Sequence, residues 1–146
     1  MTVEIRRITE VSDALEEAFA RLMPQLSPQL AAPSAARLRE IAASPGTALF
    51  AAEAGGRVWG LLTLVWYDVP SGRKAWIEDV VVDAEARRMG AGRALVAAAL
   101  EHAGVIGAGK VLLTSNPARE AARALYRKMG FEEAATTVFA IKTDAK

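Results

Sequence analysis

The sequence contains no cysteine and a single histidine, His102. Without thiols it can form neither disulfides nor thiolate zinc sites, and it has no cysteine nucleophile. One imidazole excludes any centre that needs two, and no metal site is expected. Nowhere do about 18 apolar residues run together, so no membrane-spanning helix and no membrane partner are expected. Charged and apolar residues alternate through Met1–Glu10 with no signal-peptide core, so export is not indicated and a cytoplasmic compartment is expected. An excess of one charge sign is missing too. Lys and Arg total 18 against 17 Asp and Glu, a net charge of +1, whereas a nucleic-acid binder would normally be strongly basic. What is abundant is apolar surface, with 52% of the 146 residues in the hydrophobic class. That is too apolar for a disordered chain, and long enough for one core but not two. One domain over 1–146 is expected. Alanine supplies 31 residues, which favours helices and says nothing of function.

The pattern along the chain mixes two periods. Val3–Ile8 alternates as a first strand. Ser12 or Asp13 can cap a helix carrying Leu15, Phe19, Leu22 and Met23, which Pro24, Pro28 and Pro33 then interrupt. Ser34 can cap a second helix with Leu38 and Ile41 inward. Two strand-like runs, Thr47–Ala54 and Arg57–Trp66, flank Gly55-Gly56, a good two-residue hairpin turn because both residues accept positive φ. A turn over Asp68–Arg73 leads into the β-branched run Ala75–Val82. Gly92–Ala103 reads as an alanine-rich helix, with Lys110–Thr114 as a short strand after it. Asn116-Pro117 has the cap and first-turn proline of another helix, striped by Ala118, Ala121, Ala122, Leu125 and Met129 and closed by Gly130. Phe131–Ala134 and Thr136–Lys142 supply a final pair of strands. The fold class is therefore mixed α/β.

The most informative stretch joins Val80-Val81-Val82 through a short turn to Arg87-Arg88-Met89-Gly90-Ala91-Gly92-Arg93, where a helix begins. Amides at a helix start lack intrahelical acceptors and carry partial positive charge, so they form an anion cradle. Gly90 and Gly92 keep side chains away from the approaching anion, and Arg87, Arg88 and Arg93 add charge. The dinucleotide fingerprint is excluded because Leu95 stands where its third glycine belongs. A P-loop is excluded because Gly92-Arg93-Ala94 replaces Gly-Lys-Ser/Thr.

Together with Asn116 and Ala124-Leu125-Tyr126-Arg127-Lys128-Met129-Gly130-Phe131, this stretch resembles the GNAT superfamily of acyl-CoA-dependent N-acyltransferases. The resemblance is densest over Trp76–Phe131. It implies a mixed, mostly antiparallel sheet of six or seven strands flanked by about four helices, and acetyl-CoA as co-substrate. It further implies that the backbone of Val80, Val81 and Val82 pairs with the pantetheine arm and that the Arg87–Arg93 amides hold the pyrophosphate. Asn116 would contact the cofactor, or serve only as a cap. Tyr126 would sit near the thioester sulfur, or be plain core. Ala84 and Ala86 stand where relatives often carry proline and an aromatic, and Arg123 where many carry a cofactor-contacting asparagine. Arg119, Arg123 and Arg127 form a basic stripe, either solvated or, through Arg123 or Arg127, touching the cofactor's outer phosphate.

Amine acylation requires a base, because a primary amine is largely ammonium at pH 7, and it is helped by a proton donor to the departing thiolate. Tyr126 is the natural donor. Glu78, two residues before Val80, is expected on the face of Val80 and Val82 and is the candidate base, or else a surface partner of Arg73 or Lys74. Asp68 and Asp79 are the next candidates. Trp66, Tyr67, Asp68 and Trp76 are candidates for the acceptor pocket, and His102 for a structural or solvated residue. The expected activity is transfer of acetyl to the amine of a small molecule by direct attack in a ternary complex. Acetylation of a protein N-terminus or lysine is the alternative within the fold, and a silent CoA-binding module the alternative outside catalysis. Dimers are common in such folds, but no residue compels one.

Overall fold

Alternating apolar residues build β1 (Glu4–Ile8) and pair it antiparallel with β2 (Thr47–Ala54), where Ile8 lies opposite Leu49. The computed structural model describes Thr2–Ala145. Between these strands run α1 (Asp13–Leu26) and α2 (Ala35–Ala43). The Ser12 hydroxyl accepts from the Leu15 amide at 3.2 Å, and the Ser34 hydroxyl from Arg37 at 3.1 Å. Contrary to expectation α1 runs past Pro24. Pro24 removes a single amide from the ladder, and the helix continues beyond it to Ser27, whose amide closes the last turn by donating to the Met23 carbonyl.

Gly55 and Gly56, both at positive φ, turn β2 into β3 (Arg57–Val69). β4 (Gly72–Val82) pairs antiparallel with β3 almost to the tip, so the expected turn over Asp68–Arg73 tightens to Pro70-Ser71. A 3₁₀ turn (Ala84–Ala86) leads to α3 (Ala91–Val105), and β5 (Val111–Leu112) adds parallel to β4. The sheet is mixed and five-stranded in the order β1-β2-β3-β4-β5.

One face of the sheet (Leu49, Ala51, Leu61, Val81) packs with Leu15, Phe19 and Leu22 of α1 and Leu38 of α2. The alternate residues meet α3, where Phe50 touches His102 edge-to-face and Gly60 leaves room for Leu95, whose Cδ1 would lie 3.0 Å from any added Cβ. Among the described residues no helix is long and apolar enough to cross a membrane.

Chain contacts divide at Thr114/Ser115 into two compact units. The second holds α4 (Glu120–Lys128), which begins later than expected. Asn116 accepts from Ala118 in a tight local turn, and the helix starts only after Arg119. The final strand pair is corrected as well. Among the described residues, Phe131–Ala134 and Thr136–Lys142 join no strand, which leaves five strands rather than six or seven. Their composition suits a strand, but a strand persists only where a neighbouring edge completes its hydrogen bonds, and these residues are largely exposed.

Candidate active site

The glycine-arginine loop is held from below by buried charge. Asp83 is 2% exposed at the end of β4. Its amide donates to the Trp59 carbonyl at 2.8 Å, its carboxylate accepts from the Glu85 amide at 3.0 Å, and Arg21 of α1 pairs with it. Arg21 also donates to the Val58 carbonyl at 2.7 Å, while Gln25, one turn on, accepts from the Ala84 amide at 2.9 Å. Burial disfavours the Asp83 anion, but the Glu85 amide, Arg21 and Gln25 outweigh it and hold its carboxyl below the usual range.

From that anchor the chain reaches Arg88 at φ +81° and Gly90 at φ +75°. No side chain caps α3, and the Ala94 amide, donating to the Gly90 carbonyl at 3.0 Å, is the first inside the helix ladder. The amides of Ala91, Gly92 and Arg93 therefore stand outside that ladder. A Cβ placed on Gly90 would meet nothing within 4 Å, so the space beside Gly90 is open. Arg87, Arg88 and Arg93 are exposed, and Met89 is half-buried. Unpaired helix amides flanked by guanidinium groups attract anions.

The neighbouring edge of β4 is open as well. β5 pairs with β4 only at Ala75 and Trp76, so among the described residues Val80, Val81 and Val82 have no strand partner on that side. An extended ligand arm could add there as a strand does.

A β-bulge changes the facing of the carboxylates. Thr63 lies opposite Glu78 and Leu61 opposite Val81, so one residue of β3 spans two of β4, and Asp79 takes φ +49°. Residues directly opposite share a face. Glu78 thus lies on the face of Thr63, Leu61 and Val81, not on that of Val80 and Val82 as strict alternation predicts. Partial burial and then the adjacent Asp79 charge raise the Glu78 carboxyl above its usual value, though the residue remains accessible to water. The alternative partner Arg73 is engaged elsewhere, bidentate on Asp68 at 2.7 and 2.9 Å and on the Ile106 carbonyl at 2.8 Å. Arg73 in turn holds Asp68 below the usual carboxylate range, which makes it a poor base.

On this same face lies a cavity of about 120 Å³. α1 contributes Phe19 and Met23, α2 contributes Leu38 and Ile41, and Pro33 and Leu49 complete the apolar wall with Leu61. Thr63 and Asp79 are its polar lining. None of the aromatic candidates borders it. Trp66 packs on His102 with ring centres 5.4 Å apart, and the Trp76 indole donates to the Tyr67 hydroxyl at 3.1 Å. The cavity residues were legible only as helix stripes and strand alternation, because an apolar side chain that borders a void has the same spacing as one that fills a core. His102 lies between Phe50 and Trp66, and burial together with the Arg7 charge lowers its pKa, as suits a packed neutral ring.

In the second unit Tyr126 is half-buried and edge-on to Phe131, with ring centres 5.9 Å apart. The Phe131 amide donates to the Tyr126 carbonyl at 3.0 Å, and Gly130 supplies the positive φ that closes the turn. Burial raises the phenol pKa against an opposing contribution from Arg119. Arg123 donates to the Glu133 carboxylate at 2.6 Å, an exposed pair that an anionic ligand could displace at little cost. Asn116 is exposed, with its carbonyl oxygen used by Ala118.

Comparison with known proteins adds a family. The sequence model of the Acetyltransferase (GNAT) family matches residues 11–131. No curated protein matches. Several solved structures share the fold. An aminoglycoside acetyltransferase, HMB0005, from an uncultured soil metagenomic sample is 23% identical, with TM-score 0.85, covering 99% of this chain and 100% of its own. A ribosomal-protein-alanine N-acetyltransferase from Brucella melitensis biovar Abortus 2308 is 21% identical, with TM-score 0.77 and coverage of 97% and 99%. The enzyme AAC(6')-Iy, solved with the bisubstrate analogue CoA-S-monomethyl-acetylneamine, is 23% identical, with TM-score 0.79 and coverage of 98% and 99%.

Proposed function

The chain belongs to the acetyltransferase (GNAT) family, and on that premise we propose that it transfers acetyl from acetyl-CoA to a primary amine of a small molecule by direct attack in a ternary complex. The observation that carries this reading is the uncapped start of α3, where three amides stand outside the helix ladder beside an unobstructed Gly90 and exposed arginines. Acetyl-CoA supplies the activated acyl group, and the remaining tasks fall to this chain's residues. Amides from Arg87 through Arg93, Met89 and Ala91 included, hold the pyrophosphate, with Gly90 and Gly92 leaving it room. The backbone of Val80, Val81 and Val82 holds the extended arm along the open β4 edge. Asn116 and Arg123 add cofactor contacts, Arg123 by exchanging Glu133 for phosphate.

Glu78 takes the proton of the incoming ammonium, directly or through water, freeing the nitrogen lone pair to bond the acyl carbon. As the carbon–sulfur bond breaks, the Tyr126 hydroxyl gives a proton to the departing sulfur; the second proton that the nitrogen sheds as the amide forms passes through water to restore that hydroxyl, and Glu78 releases its own proton to solvent. A raised carboxyl pKa brings Glu78 nearer the pKa matching that proton transfer needs. The amine enters from the cavity beside Asp79, which favours a small molecule as acceptor. A cytoplasmic location belongs to the same proposal.

Thermal unfolding with added ligand tests the reading. A ligand that binds only the folded chain must raise its melting temperature, by about 2.7 kcal/mol of stability at a hundredfold excess over Kd. Acetyl-CoA is expected to raise it and Gly90→Val to abolish the shift, because valine would be strained at that φ and would project into the open space. A larger shift from NADH than from acetyl-CoA would contradict the proposal.

A further inference from the structure

We propose that the acceptor is a monoamine with an apolar body, an alkyl or arylalkyl group about one ring in size, and not a polycation or a peptide. This rests on the acetyl-transfer reading above and narrows its substrate class. The walls of the cavity are Phe19 and Met23 from one helix, Leu38 and Ile41 from the next, and Leu61 from the sheet beneath, so a body seated there meets carbon along these walls. The exception is the bulge in β4. Its extra residue brings Asp79 to the cavity, with Glu78 adjacent on the same face and Thr63 opposite Glu78 in the ladder. Polarity is thus confined to one end, and it is anionic.

A single ammonium suits that end. Further ammonium or hydroxyl groups on the acceptor's body would be stripped of water against leucine, isoleucine and phenylalanine with nothing to bond. Size agrees with this division. A dry apolar cavity of roughly 150 Å³ holds one benzene, so this smaller one takes about five or six carbons. A peptide N-terminus carries amide groups immediately behind its amine, where these walls offer no partner.

Straight-chain primary amines of increasing length, assayed with acetyl-CoA, read this directly. The expected result is that kcat/KM rises about fourfold per methylene and levels off near five or six carbons, with diamines and aminoglycosides at least tenfold poorer than hexylamine. Met23→Trp, which fills part of the cavity, should move the levelling point to shorter chains. Asp79→Asn should weaken every amine of the series alike. Calorimetric titration of the same amines into protein without acetyl-CoA reads the cavity independently of turnover and should give the same length dependence. A flat or falling length dependence in both measurements, or a preference for polycationic acceptors or peptides, overturns the proposal. If the amines bind with the expected length dependence but acetyl-CoA neither shifts melting nor reacts, the class stands and the acetyl-transfer reading falls.

Discussion

Glu78 combines two properties that are separable by experiment. Its carboxyl titrates above the usual value because partial burial and the Asp79 charge both disfavour the anion. Stability that such a group contributes is fully present below the unfolded-state value and is lost as pH rises through the folded one. Glu78→Gln removes that loss. The variant should therefore gain in melting temperature on the parent as pH rises above the carboxylate range, while its turnover falls by about 10²–10⁴-fold, as for a general base. The deficit should be greatest between the Glu78 value and that of the amine, where the carboxylate is ionised and free amine is scarce, and should shrink below the Glu78 value, with acetyl-CoA affinity unchanged. Melting curves and pH–rate profiles measured side by side check this, and an unaltered acid limb would move the base to Asp79. Tyr126→Phe makes a different separation. It keeps the ring that packs edge-on to Phe131 and deletes one hydroxyl, so melting should hold. The single-turnover rate should slow toward the smaller end of the roughly 10²–10⁴-fold range for a general acid, because a thiolate leaves readily without help. A full rate in the Phe variant would make Tyr126 a packing residue only.

Among the elements, α1 has two employments. Phe19 and Met23 border the cavity, while Arg21 and Gln25 fasten the turn that begins the glycine-arginine loop. Breaking a buried ion pair from one side typically costs about 3–5 kcal/mol. Arg21 keeps Glu17 at 3.0 Å and the Val58 carbonyl, so Asp83→Asn should cost about 3 kcal/mol, at the low end of that range. It should also weaken acetyl-CoA binding, since the loop loses its floor. The pH dependence follows from sign. Asp83 titrates below its ordinary value when folded, so its contribution is present above that value and is lost as pH falls through the folded one. Acid unfolding of the Asn variant should therefore be shallower than that of the parent at the lowest pH, which denaturant melts across the acid range would measure. A hydrogen-bonded carboxylate under the glycine-arginine loop was not legible in the sequence. Arg21 and Asp83 lie 62 positions apart, and each alone reads as an ordinary surface charge.

Over the whole molecule, what was legible was whatever local chemistry dictates. Ser12 and Ser34 cap their helices, Gly55-Gly56 turns its hairpin, and Gly90 takes a positive φ in the loop before α3, because each role needs a residue type at one place. What depends on distant partners was not. Strand alternation carries no mark of a single inserted residue, so the bulge at Asp79 reversed the facing expected for Glu78 relative to Val80 and Val82. Thr136–Lys142 has a strand's alternation without a strand's neighbour, and Asn116 looks like a helix cap but closes a turn ahead of the helix. The cavity residues read as core. The central claim, that these parts together acylate an amine, is tested most directly by incubating the protein with acetyl-CoA and hexylamine and quantifying both products by mass spectrometry. The account predicts one N-acetylhexylamine for each CoA released, with both lost together in Gly90→Val. Release of CoA with no amide formed, or amide formed equally well by Gly90→Val, would contradict it.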